Sequence, residues 1–360
     1  MTAKAEALAR AAALRETFEA EGAQPVETPV LQPADTLLDL YGEEIRARAY
    51  VTSDAMRGEQ MLRPDFTVPV VQMHMAHGAE PARYTYSGEV FRRQEHDPDR
   101  ANEYLQVGYE VFDRENPAAA DAEVFALMSG IVAPLNLRAA TGDIGILMAA
   151  VKGLDTTEAR KAALLRHLWR PRRFRNLLDR FVGRLTPSKE RMALLEGTAS
   201  PCTAPLVGRR TQAEIDTRID LLRSDATTPP VSDGEVDLLD ALLHVRETMP
   251  FALEQLRDLA VDMPSIASAV ARLSARAEAL DARGINVEEL PFEANFGRTS
   301  MEYYDGFVFG FFSLQHPDWP ALATGGRYDA LTQRLGDGAT IPAVGGVLRP
   351  DLILKLEQGV

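Results

Sequence analysis

The sequence predicts an α+β fold in which a β-rich unit is interrupted by a mainly helical insertion. Short β-rich runs separated by helical segments and loops occupy 23–150, the chain becomes predominantly helical over 153–287, and strand character returns after 288. No repeat of fixed period and no low-complexity tract breaks this pattern. We therefore predict that residues 1–152 and 288–360 form one core and that 153–287 are inserted within it.

The composition limits the classes of partner and compartment. The chain has 360 residues, enough to bury a substantial core without disulfides or metal. With 39 Lys and Arg against 53 Asp and Glu, its net charge of −14 disfavours a general polyanion-binding surface. The single cysteine, Cys202, makes neither an internal disulfide nor a thiolate cluster, and no apolar run reaches the roughly 18 residues of a membrane helix. We expect a reduced, cytoplasmic protein with no metal site and no membrane segment.

The N-terminal elements follow from apolar spacing and helix signals. Residues 3–21 carry apolar side chains at helical spacing, mix acids with bases as a targeting peptide does not, and end at Gly22. A strand is predicted at 26–30. A helix is predicted at 34–41, with an aspartate at its start.

Two predicted strands, 83–90 and 104–113, flank a polar loop. Alternation in the second strand places Gln106 and Glu110 on one face. The loop carries three arginines, Arg92, Arg93 and Arg100. Guanidinium forks are suited to gripping a phosphate or carboxylate. The alternative is a solvated, salt-bridged hairpin tip, because acidic side chains lie in the same loop.

Helix signals continue through the insertion. Asp155 followed by Glu158 resembles a capping arrangement, and Pro264 opens a long helical pattern that closes on a glycine. The Thr, Pro, Ser and Gly content of 227–235 predicts a loop. The segments in which strand character and glycine-rich runs return are 307–312, 323–329 and 343–346.

Two further groups of side chains suit ligand binding. Asp65 and Thr67 lie two residues apart, and a carboxylate with a hydroxyl suits a cationic amine. The alternative is that this pair caps the start of a helix. Tyr303 and Tyr304 fit the wall of an aromatic pocket, and their alternative is ordinary core packing.

The stretch 166–175, RHLWRPRRFR, is the basic segment of the sequence and interleaves its cations with Trp169 and Phe174. Such a pattern serves nucleic acid or an acidic protein partner. A solvated helix face that partly docks a partner fits better than nucleic-acid binding. A tRNA-binding adaptor is the weakest hypothesis, because it rests on this stretch alone.

Five segments in order resemble the catalytic core of histidyl-tRNA synthetase, a class II aminoacyl-tRNA synthetase. They are LRPDFTVPVVQ, YSGEVFRRQEHDPDRANEYLQVGYEVF, EYYDGFVF, GGRYDAL and PAVGG. In addition, VETPVLQPADTLLDLYG resembles the first motif of that class. The resemblance covers nearly the whole chain, with 153–287 where that family carries an insertion domain. It implies a mixed, mainly antiparallel sheet flanked by helices.

The resemblance also implies an amino-acid site. The matching positions are Asp65, Thr67, Arg92, Gln106, Glu110, Tyr303, Tyr304 and Tyr328. Asp65, Thr67 and Gln106 resemble the positions that hold the amine, with Asp65 where the synthetases usually have Glu. Glu110 and Tyr304 resemble those that hold the imidazole of histidine.

The chain departs from the synthetase pattern at two arginine positions. Thr299 and Leu352 stand where synthetases have arginines that act on the substrate carboxylate and on the terminal phosphate of ATP. Arg298 is one residue early, and Arg349 lies three residues upstream of Leu352. Losing such a donor typically costs several kcal/mol of barrier. The remaining phosphate-binding positions, which would be vestigial, are Arg92 and Arg100.

The core keeps the amino-acid pocket, has lost the ATP arginines and stops at Val360, before an anticodon-binding domain. In these features the chain resembles the regulatory subunit of ATP phosphoribosyltransferase. The resemblance implies a non-catalytic subunit, with no cofactor, that dimerises and joins short-form catalytic subunits in a hetero-octamer. It implies a role in the first step of histidine biosynthesis, with histidine as feedback effector. The alternative is an active histidyl-tRNA synthetase-like enzyme or an adenylate-forming amide ligase.

Overall fold

The structure is a computed structural model that describes residues 3–41, 45–94, 100–199, 207–208, 210–298 and 303–359. The strands in these ranges are β1 (Gln24–Pro25), β2 (Leu31–Pro33), β3 (Val51–Asp54), β4 (Gly58–Leu62), β5 (Ala82–Phe91), β6 (Glu103–Phe112), β7 (Arg138–Asp143), β8 (Arg246–Thr248), β9 (Pro291–Glu293), β10 (Phe307–Phe312), β11 (Ala323–Arg327) and β12 (Ala343–Leu348). The α-helices are α1 (Ala3–Ala20), α2 (Ala34–Tyr41), α3 (Ile45–Arg48), α4 (Thr67–His77), α5 (Pro117–Val132), α6 (Ile144–Lys152), α7 (Glu158–Arg166), α8 (Pro171–Phe181), α9 (Lys189–Glu196), α10 (Gln212–Thr227), α11 (Asp233–His244), α12 (Met249–Asp262), α13 (Ala267–Asp281), α14 (Asp329–Leu335) and α15 (Pro350–Glu357).

A nine-stranded sheet organises the chain. Its strand order is β1-β5-β6-β12-β11-β10-β7-β9-β8, and a second sheet has the order β2-β4-β3. Within the described residues, the large sheet is parallel at β1 with β5 and at β7 with β9, and antiparallel at its other pairings. The predicted α+β fold with a mixed, mainly antiparallel sheet is therefore confirmed.

The side chains of strand β6 alternate between the two faces of this sheet, as its sequence predicts. One face packs into a core cluster with α1 and α5, and its members from β6 are Leu105, Val107, Tyr109 and Val111. The ring of Tyr109 lies 5.3 Å from that of Phe18 on α1. Gln106 and Glu110 point to the opposite face, where they line a cavity. A strand thus presents its polar side chains together because its side-chain period is two.

Helix α1 buries one stripe and ends where the sequence predicts. The buried side chains are Ala7, Ala11, Leu14 and Phe18. This spacing follows from 3.6 residues per turn. The helix stops at Ala20, and Gly22 adopts a φ of +87°, which glycine reaches without steric cost.

The insertion predicted at 153–287 consists mainly of helices and shares its core with the sheet. Helix α13 packs on α5, and one apolar cluster contains Phe125 of α5 together with Leu273 of α13. In the part of the chain that the structure describes, Pro117–Leu135 is the one helical segment long and apolar enough to cross a membrane. Phe125 and Met128 from this segment are buried in that cluster. The boundaries of the insertion stay a prediction.

A buried charge network connects α13 to the strands of the core. Arg276 of α13 donates to Asp121 on α5 at 2.7 Å and to Asp143 at the end of β7 at 2.9 Å. Asp121 also accepts from Arg327 of β11 at 2.7 Å, and Arg327 donates to Asp329 at 3.0 Å. The three partners Arg276, Asp121 and Asp143 are each at most 3% exposed. This network fixes the segment that carries Tyr328.

Two local predictions are wrong. Residues 26–30 form an irregular connection between β1 and β2, and Pro29 in this connection lacks the amide hydrogen that a ladder needs. The cap of α7 is Thr157, whose hydroxyl accepts from the amide of Arg160, and Asp155 lies outside the helix. The insertion also contains strand β8, which pairs with β9 at the sheet edge. This strand is too short to produce a recognisable sequence pattern.

Candidate functional site

The predicted site residues converge on one cavity over the β6 and β12 strands. Its lining includes all eight: Asp65, Thr67, Arg92, Gln106, Glu110, Tyr303, Tyr304 and Tyr328. They come from the entry to α4, from the residue after β5, from β6, from the segment before β10 and from the residue after β11. Antiparallel pairing brings these distant segments together, because β6, β12, β11 and β10 are neighbours in the sheet.

Glycine on β12 makes room for the central carboxylate. Gly345 pairs with Glu110 in the strand register. A Cβ atom at Gly345 would collide with the Glu110 carboxylate, which lies directly over the glycine. Glu110 therefore depends on a glycine at this position, as a close approach of side chain to backbone requires.

Three hydroxyl groups hold the Glu110 carboxylate. Thr67 and Tyr86 donate to Oε1 at 2.9 and 2.8 Å, and Tyr328 donates to Oε2 at 2.5 Å. Glu110 is 1% exposed. Burial raises its pKa to about 7, and the hydroxyl donors partly oppose that rise. Near neutral pH this carboxyl is thus poised to ionise and to accept a hydrogen bond from a cationic or N–H donor ligand.

Tyr86 is a site residue that the sequence reasoning missed. It is fully buried, stacks on Phe66 with ring centroids 4.3 Å apart, and pairs in register with Gly108. A Cβ atom at Gly108 would collide with the Tyr86 ring. The available signal is the alternation in 83–90, which places Tyr84 and Tyr86 on one face.

The end of the cavity formed by α4 and β6 presents oxygen acceptors. Asp65 and Gln106 are 3% and 2% exposed. Asp65 accepts the amide of Val68 at 3.3 Å at the start of α4, whereas the Thr67 hydroxyl donates to Glu110, so the predicted pair does not cap the helix together. The Oε1 atom of Gln106 is buried with no hydrogen-bond partner among the described residues. A buried acceptor without a partner is costly, so this atom is suited to a donor on a ligand.

Aromatic rings form the opposite wall. The Tyr303 ring lies 4.9 Å from that of Tyr304 and 6.1 Å from that of Tyr328, both in edge-to-face geometry. Burial and the nearby Glu110 carboxylate raise the pKa of Tyr304 well above its usual range, so its hydroxyl stays protonated. Tyr303 and Tyr304 thus line the cavity and also pack in or against the core cluster, and their role as the wall of a ligand pocket stays a prediction.

A cationic cleft adjoins this cavity. It is lined by eleven residues, among them Arg92, Arg100, Arg349 and Lys355. Arg92 and Arg349 line both spaces. The guanidinium of Arg349 lies 4.4 Å from the ring centroid of Tyr104, and burial together with the nearby Arg92 and Arg100 lowers its pKa.

The sequence analysis had not assigned Arg349 or Lys355 to a site. The Pro350 that follows Arg349 starts α15, and the helix turns Lys355 toward the same cleft. Leu352, at the predicted position of an ATP-binding arginine, lines the cleft with an apolar side chain and is 9% exposed. The cations of the cleft therefore come from positions other than Leu352.

The other departure from the synthetase pattern concerns Thr299 and its neighbour Arg298. Thr299 lies outside the described residues. Arg298 is 4% exposed and donates from Nε to the carbonyl of Leu168 at 2.9 Å. It does not line the cavity. Arg298, one residue early in the motif, therefore points away from the cavity.

The basic stretch 166–175 forms the end of α7, a turn and the start of α8. Leu168 and Phe174 are buried within it. Arg175 pairs with Asp240 at 2.5 Å and with Asp179 at 3.2 Å. These contacts belong to the packing of the insertion.

Comparisons with known proteins identify the family of this chain. The family model "Histidyl-tRNA synthetase" matches residues 1–200 and 215–353. Curated proteins of Brucella ovis and Brucella abortus, both named ATP phosphoribosyltransferase regulatory subunit, are 32% identical to this chain over 92% of its length. The match covers 93% and 92% of those two proteins.

Solved structures agree on the fold. A Bacillus halodurans protein titled ATP phosphoribosyltransferase regulatory subunit/histidyl-tRNA synthetase superposes with a TM-score of 0.69 at 22% identity, covering 98% of this chain and 79% of that one. Histidyl-tRNA synthetase from Nostoc gives 0.65 at 17% identity, covering 99% and 72%. The chain belongs to the histidyl-tRNA synthetase family, among its members named ATP phosphoribosyltransferase regulatory subunit.

Proposed function

We propose that this chain is the non-catalytic regulatory subunit of an ATP phosphoribosyltransferase and binds histidine as a feedback effector. The observation that carries the proposal is the convergence of all eight predicted residues on one cavity, with the apolar Leu352 in the adjoining cleft. The names of the Brucella relatives support the regulatory role. The proposed site of action is the cytoplasm, in the first step of histidine biosynthesis.

Each part of a histidine molecule has a complementary group in the cavity. An imidazole N–H would donate to Glu110, which lies deepest and is held by three hydroxyls. The ammonium group would donate to the unpartnered Oε1 of Gln106 and to Asp65. The tyrosine rings would enclose the imidazole, and the guanidinium of Arg92 would face the carboxylate.

Regulation follows from linkage between this site and the catalytic subunit. Histidine shifts the equilibrium between active and inhibited assemblies only if it binds the two with different free energies, typically by about 1–3 kcal/mol. We propose that the assembly is a hetero-octamer with short-form catalytic subunits, built on dimers of this chain.

An activity assay with the separated subunits tests this function. We expect the short-form catalytic subunit to gain ATP phosphoribosyltransferase activity when this chain is added, and histidine to inhibit the mixture. By reciprocity, substrates that favour the active assembly should lower the affinity of the complex for histidine about 5- to 150-fold. Activity that is the same with and without the chain would contradict the proposal.

The alternative, an adenylate-forming enzyme, is favoured by one observation, the cationic cleft beside the cavity. Arg92, Arg100 and Arg349 would face the phosphates of ATP there. We propose instead that this phosphate site is vestigial, because Leu352 offers no charge to the terminal phosphate and an arginine at position 299 is also missing. Each missing donor costs about 10²- to 10³-fold in rate.

We therefore expect no histidine-dependent exchange of pyrophosphate into ATP by the purified chain. The assay uses labelled pyrophosphate, with an active histidyl-tRNA synthetase at equal concentration as the positive control. Exchange at a rate within tenfold of that control, about 1.4 kcal/mol of barrier, would show that the chain is an enzyme.

A further inference from the structure

Arg298 joins the insertion to the segment that leads into the tyrosine wall. It donates from Nε to the carbonyl of Leu168 at 2.9 Å and from Nη1 to Asn295 at 3.1 Å. Its guanidinium carbon lies 4.9 Å from the ring centroid of Phe174. Leu168 and Phe174 belong to residues 167–174, which comprise the turn after α7 and the first residues of α8 and which we name the elbow.

The burial of Arg298 is expensive. No carboxylate among the described residues forms an ion pair with it, and its Nη2 atom is buried without a hydrogen-bond partner in the same part of the chain. Burial lowers its pKa to about 10. An apolar side chain of similar volume would pack there at lower cost. What arginine adds is a directional link to the Leu168 carbonyl, which lies in the turn between two helices and needs a donor.

The residue before Arg298 is fixed against β10, and the elbow packs beside the tyrosine wall. Gly297 has a φ of +91° and sits so close to Val308 of β10 that a Cβ atom would be 2.7 Å from a Val308 methyl group. Tyr303 follows Arg298 by five positions in the sequence. On the elbow, Trp169 packs against the apolar cluster that also contains Tyr303 and Tyr304.

We propose that Arg298 is a positioning residue through which the elbow sets the place of the Tyr303 and Tyr304 wall, and thereby the affinity of the cavity for its amino-acid ligand. A shift of the elbow would change how Trp169, next to the Leu168 that Arg298 holds, packs against the cluster of Tyr303 and Tyr304, so an event on the insertion would alter ligand affinity at the cavity. This inference rests on the proposed binding of histidine.

The test compares two buried arginines of the same region. Arg298→Met removes the link to Leu168. Arg160→Met is the matched control, because Arg160 is 6% exposed and donates to Asp225 and to the Pro229 carbonyl within the insertion, away from the cavity. The full chain is assembled with its catalytic subunit, histidine affinity is measured by calorimetry, and the free energy of unfolding is measured by urea denaturation.

We expect both variants to lose stability and only Arg298→Met to bind histidine more weakly, by about 3- to 30-fold. Arg298→Lys, which keeps one donor toward Leu168, should recover part of that loss. Equal histidine affinity in Arg298→Met and the wild type would overturn the proposal. An equal loss in Arg160→Met would also overturn it, because the effect would then be one of stability.

Hydrogen exchange separates failure of this proposal from failure of the proposed function. The amide of Asp305, next to the tyrosine wall, donates to the Arg327 carbonyl at 3.0 Å. Even if the wild type binds no histidine, Arg298→Met should speed exchange at Asp305 more than Arg160→Met does. Equal exchange in the two variants would overturn the positioning role.

Discussion

Histidine should bind the Glu110→Gln variant about 10- to 150-fold more weakly than the wild type, because a hydrogen bond to a charged group is worth about 1.5–3 kcal/mol. The substitution keeps the volume of a side chain that is 1% exposed. It removes the carboxylate that would accept the imidazole N–H. Calorimetry on the complex with the catalytic subunit measures the effect.

The control for this variant is Glu80→Gln, which removes a carboxylate paired with Arg114 at the protein surface. Glu80→Gln should leave histidine affinity unchanged. If Glu110→Gln binds histidine as the wild type does, histidine does not use this cavity.

The titration of Glu110 provides a second measurement on the same variant. Its pKa is raised from 4.5 to about 7 in the folded chain, so the folded state holds a proton that the unfolded state has lost. The free energy of unfolding of the wild type should therefore fall by about 3 kcal/mol as the pH rises from 4.5 to 7. Above pH 7 the titration of Glu110 should cause no further loss. Glu110→Gln should lack this component, as urea denaturation at several pH values would show.

The Asp121→Asn variant should lose about 3–5 kcal/mol of stability, because removing one partner of a buried ion pair leaves charge uncompensated. Asp121 accepts from Arg276 at 2.7 Å and from Arg327 at 2.7 Å, and is 2% exposed. Asparagine keeps the shape and removes the charge that both arginines share. Urea denaturation monitored by fluorescence gives the difference in free energy.

The surface pair between Arg175 and Asp240 is the control for the buried network. Its side chains are 44% and 31% exposed, so Asp240→Asn should cost less than about 1 kcal/mol. Similar losses of stability in Asp121→Asn and Asp240→Asn would contradict the view that the buried network stabilises the fold more than a surface ion pair does. A large loss at Asp121 alone would show that α13 is held to the sheet by charge.

The sequence was most informative where one periodic pattern covers a whole element. The period-two pattern of 104–113 predicted which face of β6 carries Gln106 and Glu110, because adjacent side chains of a strand must point to opposite sides. The helix at 34–41 was also predicted with its observed ends. Short elements escaped this reasoning. Strand β8 has three residues, and its pairing with β9 depends on a segment more than forty positions away.

The site residues themselves came from ordered motifs, and local pattern alone left several alternatives open. Asp65 is both the acceptor of a helix-start amide and part of the cavity lining. Tyr86 was missed because its role depends on Gly108, which faces it across the hairpin. Arg349 was missed because motif alignment directed attention to Leu352, whereas the turn into α15 brings Arg349 to the cleft.

The sequence by itself determined the fold class, the family and the set of residues to be tested, since periodicity and motif order are local properties of the chain. Only the tertiary structure decided which of these residues meet. Glu110 lies over Gly345 because of the register between β6 and β12, which is set by non-local pairing. Arg298 reaches the elbow because the insertion folds back onto the core. Side-chain direction and partners follow from such long-range packing, and no short segment encodes them.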